Sequence, residues 1–198
     1  MARPFILGVN NVRLSRTVSI GKVHYVVQRG HNGSDIFVDD RGYFFESFKE
    51  DIFKEKLNCN FIQDNEVYSK NANVIRGLHY QLDNPQAKLI HVVSGAIKDV
   101  IVDIRTSSSS FGKSFSINLN DKNHKMLFVP EGFAHGYLVL EKNTIVHYKC
   151  TDFYNPNSEY GIRWDDLDVN INWGVKSPHL SHKDSKLPFL KDQKMLPK

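Results

Sequence analysis

Hydrophobic residues along this chain come in short runs, and turn residues cut the runs apart. Apolar-rich stretches cover 75–82, 88–93, 97–104, 115–119, 126–129, 137–140 and 144–150. Between them stand Ser94-Gly95, the serines at 107–110, Asn120-Asp121, Pro130-Glu131-Gly132 and Glu141-Lys142-Asn143. Short runs bounded in this way predict strands, and several at this spacing predict an all-β barrel or sandwich. One segment departs from the pattern. Residues 49–57 (KEDIFKEKL) place Ile52, Phe53 and Leu57 at helical spacing and predict the one clear helix. No repeat or linker divides the chain, so it reads as a single domain over 1–198 with its core at about 36–190. Residues 1–20 and 190–198 read as peripheral.

Polar residues interrupt faces that alternation would make apolar. In 75–82 (IRGLHYQL), His79 and Gln81 share a face with Ile75 and Gly77, and Leu78, Tyr80 and Leu82 take the other. Over 43–48, Glu46 lies between Phe44 and Phe48. Gln63 and Asn65 share a face with Phe61, Lys88 with Ile90 and Val92, and Tyr148 with Val146 and Cys150. Burying polar groups costs free energy unless they are paired, so this set suggests a lined cavity. Each residue also has a plainer reading. A strand histidine is more often structural, Glu46 could face solvent, and Lys88 could guard a strand edge. Tyr148 could be a core tyrosine with a bonded hydroxyl. Periodicity does not choose between them.

Composition narrows the class. The 198 residues are 40% hydrophobic and 24% charged, which excludes a largely disordered chain. No apolar stretch approaches the roughly 20 residues that span a bilayer, and Met1 to Val9 lacks the apolar region of a signal peptide. The two cysteines, Cys59 and Cys150, lack metal-type spacing and read as free thiols in a reducing compartment, the cytoplasm. A net charge of +4 is scattered rather than striped, which points to a small anionic ligand and to neither nucleic acid nor membrane as partner. Nine histidines call for a metal check, but the nearest pairs (His24 with His31, His124 with His135, His179 with His182) form no compact ligand motif. There is no GxGxxG, P-loop or GxSxG either.

An ordered set of motifs then stands out. It runs Asp40-Arg41-Gly42-Tyr43-Phe44 with Glu46-Ser47-Phe48, Gln63-Asp64-Asn65, and RGLHYQ from Arg76 to Gln81. Lys88-Leu89, Gly95, Asp99-Val100, Val102-Asp103-Ile104-Arg105, Phe111-Gly112 and PEGFAHG from Pro130 to Gly136 follow. Tyr148-Lys149, Tyr154-Asn155-Pro156, Glu159, Gly161-Ile162, Trp164 and LSHKD from Leu180 to Asp184 complete it. Over about 36–190 this set closely resembles the dTDP-4-dehydrorhamnose 3,5-epimerase family. The resemblance implies a cupin-type jelly-roll barrel with a few short peripheral helices. It also implies a homodimer whose neighbouring chains complete the nucleotide site, a nucleotide-diphosphate sugar as substrate, and neither metal nor organic cofactor. Carried over by position, His79 is the base, Asp184 the carboxylate that orients it, Tyr148 the acid, and Lys88 the cation beside the keto oxygen. His135 is a pocket histidine and Tyr154 stacks in the substrate site. Arg41, Glu46, Gln63, Asn65, Arg76, Glu159 and Lys183 hold substrate or nucleotide. Three features depart from the family pattern: Glu66-Val67-Tyr68-Ser69 is one residue longer, 28–35 (QRGHNGSD) is inserted, and Phe153 stands where a second tyrosine is frequent. They leave the acid–base set in place and bear on which nucleotide and sugar are taken.

The chemistry suits those residue types. Carbons C3 and C5 of a 4-keto sugar both flank the carbonyl, so one base can reach either proton if the enolate is stabilised. Imidazole, with a reference pKa of about 6.5, suits the base, and a phenol near 10 stays protonated and can donate. A lysine supplies positive charge where the oxyanion develops. Arg41, Arg76 and Lys183 can neutralise a diphosphate. The leading expectation is C3 and C5 inversion of dTDP-4-dehydro-6-deoxy-D-glucose to dTDP-4-dehydro-L-rhamnose. Alternatives are a single-carbon epimerase, an epimerase of another nucleotide sugar, a non-catalytic sugar-binding cupin, and a metal-dependent dioxygenase-type cupin.

Overall fold

Successive residues of a strand point to opposite faces, and here the two faces of each sheet find different partners. The computed structural model describes residues 39–198, together with the backbone of residues 37–38 and of three N-terminal strands, β1 (Phe5–Ile6), β2 (Ser15–Thr17) and β3 (His24–Gln28). The described chain continues with β4 (Phe37–Asp39), β5 (Gly42–Phe44), α1 (Glu50–Leu57), β6 (Gln63–Ser69), β7 (Ile75–Gln81) and β8 (Lys88–Ser94). Then follow β9 (Ala96–Asp103), β10 (Ser114–Asn120), β11 (Lys125–Val129), β12 (Phe133–Val139), β13 (Thr144–Cys150) and β14 (Glu159–Gly161). Two 3-10 turns, Asp184–Lys186 and Leu190–Asp192, close the chain. The insertion beyond Gln28, the side chains of His24 and His31, and most of the first 20 residues lie outside the described residues.

Two antiparallel sheets face each other. One has the order β10-β9-β12-β7-β14 and the other β2-β3-β11-β8-β13-β6, with a small sheet β1-β4-β5 beside them. Between the large sheets lie Ile97, Ile101, Leu119, Phe133 and Val139 from the first and Ile90, Val92, Leu127, Val129 and Val146 from the second. Each such aliphatic side chain contributes roughly 1.5–3 kcal/mol when fully buried. The outer face of the five-stranded sheet (Leu78, Tyr80, Val100, Val102, Leu138) is covered by Ile162, Val169, Trp173 and Leu190. The outer face of the six-stranded sheet (Leu89, Met126, Phe128) packs under Phe53 of α1. This is the all-β jelly-roll expectation, with its peripheral helices.

Several local expectations shift. The predicted strand over 43–48 stops at Phe44, so Glu46 stands exposed in an irregular segment rather than on a strand face. Because β6 begins at Gln63, its alternation does not extend back to Phe61, which packs outward with α1. The run expected from 137 starts at Phe133. The tail over 190–198 is docked rather than peripheral. Leu190 is buried, the Gln193 side-chain carbonyl accepts from the Tyr80 hydroxyl at 2.8 Å, and the Pro197 carbonyl accepts from the Thr106 N–H.

Candidate active site

The decisive local feature is a bulge. His135 pairs with His79 and Tyr137 with Arg76, so two steps along β12 match three along β7. The extra residue resets the alternation. Ile75 and Leu78 both pack on the outer face, so Ile75 does not share the His79 face as alternation alone predicts. Arg76 and His79 both face the interior. Gly77 has φ +104°, and a Cβ there would lie 2.6 Å from the His135 carbonyl oxygen and 2.7 Å from Cα of Gly136. Only glycine fits.

On this wall, Nε2 of His79 lies 2.7 Å from Oδ1 of Asp184, which is buried in its 3-10 turn. The backbone N–H of Gly77 donates to the other carboxylate oxygen at 3.4 Å, and Asp184 itself is anchored by its N–H donating to Ser181 Oγ. Burial pushes the Asp184 carboxyl up, but the His79 bond and these donors outweigh it and hold it below its ordinary value. Nδ1 of His79 lies 3.6 Å from Glu159, which sits on β14 next to β7. Glu159 accepts from the Tyr154 hydroxyl at 2.8 Å and pairs with the Lys183 ammonium. Burial works against its charge, yet Lys183, Tyr154 and His79 keep its carboxyl low. His135 is bonded through Nε2 to both oxygens of Asp99, at 2.9 and 3.1 Å.

The facing wall is the six-stranded sheet. In register, Tyr148 stands between Asn65 and Ile90, and Cys150 between Gln63 and Lys88. These strands turn Tyr148, Lys88, Gln63 and Asn65 inward with Val146, Ile90 and Val92. Gln63 donates to Asn65 at 3.1 Å and accepts the Tyr154 N–H at 2.9 Å. Burial depresses the Lys88 ammonium, partly offset by the charges of Cys150, Glu159 and Asp99. Burial, Cys150 and Glu159 raise the Tyr148 phenol while Arg76 opposes them. Lys88 and His135 line one cavity, and Tyr148 packs against the inter-sheet core.

The fold thus brings together His79, Asp184, Glu159, Lys183, Tyr154, His135 and Arg76 from one wall and its flanking loops, and Lys88, Tyr148, Gln63 and Asn65 from the other. It does not bring Arg41 and Glu46 to them within one chain. The Arg41 side chain is 85% exposed and pairs with Asp39, next to exposed Tyr43 and Phe44. Sequence reading gave no role to Asp99, quoted only within the motif set, or to Tyr137 beside it. Asp99 carried the same signal as Lys88, a charge between inward Ile97 and Ile101, whereas Tyr137 read simply as part of an apolar run. Among the described residues, no three His, Cys, Asp or Glu side chains gather so as to hold a metal ion.

The chain also matches known proteins in sequence and in fold. The family model for dTDP-4-dehydrorhamnose 3,5-epimerase matches residues 32–192. The chain is similar to the dTDP-4-dehydrorhamnose 3,5-epimerase of Methanothermobacter thermautotrophicus, 48% identical over 143 residues that cover 72% of this chain and 77% of that one. That of Shigella flexneri is 46% identical over 152 residues, covering 75% and 83%. Among solved structures, dTDP-6-deoxy-D-glucose-3,5-epimerase from Legionella pneumophila, in complex with dTDP-4-keto-L-rhamnose, matches with a TM-score of 0.81. It is 37% identical, and the match covers 88% of this chain and 93% of that one.

Proposed function

This chain belongs to the dTDP-4-dehydrorhamnose 3,5-epimerase family, and on that premise we propose how its barrel works. It inverts C3 and C5 of dTDP-4-dehydro-6-deoxy-D-glucose to give dTDP-4-dehydro-L-rhamnose. The observation that carries the reading is the placement of His79 and Tyr148 on facing sheets, with His79 bonded to Asp184.

Asp184 accepts the Nε2–H of His79, which leaves Nδ1 with the lone pair. Nδ1 takes the proton from C3 or C5, and the C–H electrons move onto the C4 oxygen as an enolate. Lys88 stands beside that oxygen and stabilises the negative charge. Tyr148 then gives its hydroxyl proton to the carbon from the opposite face, restoring the ketone with inverted configuration. Solvent takes the proton from His79 and returns one to the Tyr148 phenolate. Glu159, Lys183, Tyr154, His135, Arg76, Gln63 and Asn65 position the sugar and the diphosphate.

A second copy of the chain completes the nucleotide end in a homodimer, through Arg41 and Glu46. Their exposure, and that of Tyr43 and Phe44, supports this. The two free thiols, Cys59 and Cys150, support a reducing compartment, the cytoplasm.

The test is incubation with dTDP-4-dehydro-6-deoxy-D-glucose in deuterium oxide, followed by NMR. Deuterium at both C3 and C5 with the rhamno product is the expected result. Label at one carbon only means a single-carbon epimerase, and none means a non-catalytic binding protein.

A further inference from the structure

Tyr137 carries a hydroxyl that the described residues leave unpaired. It lies on β12 two residues beyond His135 and packs into the inter-sheet core with Phe133 and Val139. In register its neighbours are Arg76 on β7 and Asp99 on β9. The residue is 4% exposed, and its oxygen has no hydrogen-bond partner among the described residues. Buried polar groups are nearly always paired, because an unpaired one loses its bond to water and gains nothing in return.

The neighbouring acceptor is already engaged, since both oxygens of Asp99 bond to His135. Burial pushes the Tyr137 phenol far above its ordinary value, Tyr148 and Asp99 add to the push, and Arg76 opposes it. At working pH the group therefore stays protonated and serves as a hydrogen-bond donor, not as an acid or base. The Tyr137 ring lies 6.3 Å from the His135 ring, and Tyr148 packs against the same inter-sheet cluster, which puts the hydroxyl among the groups of the candidate site.

We propose that Tyr137 is a sugar-contacting residue whose hydroxyl donates a hydrogen bond to an oxygen of the bound 4-keto sugar, not to the nucleotide. This rests on the epimerase reading above. Among the described residues the hydroxyl has no partner, and the substrate supplies its acceptor.

Tyr137→Phe removes the oxygen and keeps the ring. Three measurements on the full chain test the assignment: thermal melting without ligand, calorimetric Kd for dTDP, and KM for dTDP-4-dehydro-6-deoxy-D-glucose. The expected result is a melting temperature at or above that of the wild type, dTDP affinity within twofold, and KM raised about three- to tenfold, the size of one hydrogen bond. A KM within twofold of wild type overturns the assignment. Equal losses for dTDP and the sugar nucleotide overturn it too, by moving the contact to the nucleotide. A variant that melts lower or fails to fold overturns it as well, since the hydroxyl then has a structural partner. Wild-type protein without activity on the sugar nucleotide sinks the epimerase reading itself, whereas an active wild type with an unaffected variant sinks only the role of Tyr137.

Discussion

Nε2 of His79 and Oδ1 of Asp184 lie 2.7 Å apart although 105 residues separate them in sequence. In the proposed mechanism this bond carries the Nε2 proton and leaves Nδ1, 3.6 Å from Glu159, as the base. On this arrangement one base serves both C3 and C5. His79→Asn is expected to lower deuterium exchange at both carbons together, by about 10²–10⁴-fold. Substrate affinity measured by calorimetry should change little. Exchange at the wild-type rate in either position would remove His79 from the mechanism.

Tyr148 reaches the interior from the opposite sheet, between Asn65 and Ile90. Tyr148→Phe leaves the His79–Asp184 pair and Lys88 intact, so proton removal continues. The enolate then lacks a donor on the far face and is reprotonated by His79 on the face it left. Solvent exchange is expected to persist while inversion falls steeply. NMR in deuterium oxide reads both, and an unchanged ratio of inversion to exchange would refute the role of Tyr148 as acid.

Arg41 and Glu46 stand apart from the barrel interior in one chain, which makes their role testable by mixing. Arg41→Ala and His79→Asn chains are each expected to be nearly inactive at low substrate. Combined one to one and allowed to exchange subunits, they should recover about a quarter of wild-type activity, because half the dimers are mixed and each mixed dimer holds one intact site. Light scattering should show a dimer at micromolar concentration. Activity that stays at the level of the separate variants would place Arg41 in its own chain's site or outside the site altogether.

Asp103 predicts acid behaviour. Its side chain is fully buried, and burial alone would raise its carboxyl. Bonds from Arg105, Ser110 and Ser108 outweigh burial and hold it at about 2. The unfolded chain binds that proton more readily, near pH 4, so the stabilisation is present above pH 4 and is lost as pH falls through about 2. The contribution is about 2 kcal/mol by linkage. Urea unfolding of the wild type and Asp103→Asn should therefore differ most near neutral pH and converge toward pH 2. A gap that stays constant from pH 7 to pH 2 would contradict the assignment.

Alternation along 88–93 and 144–150 grouped Lys88 with Ile90 and Val92, and Tyr148 with Val146 and Cys150, because the period of two is a local property of extended backbone, but it left open which of those faces lines the interior. The motif set located His79 and Asp184 in sequence for a different reason: their roles came with the family resemblance. The same alternation failed at Ile75, Glu46 and Phe61, where a bulge or a strand end interrupts the period. Nor did it single out Tyr137, whose significance lies in a missing partner that no string of residues displays.

The sequence by itself determined the β-strand pattern, the single helix and the residue types available for acid–base chemistry, since each depends on near neighbours. The tertiary structure decided the register of β7 against β12, which turns Arg76 and His79 to the same side, and the approach of Asp184 and Glu159 to the two nitrogens of one imidazole. Those outcomes depend on which distant strands and turns meet, and a one-residue bulge is enough to reverse every face beyond it.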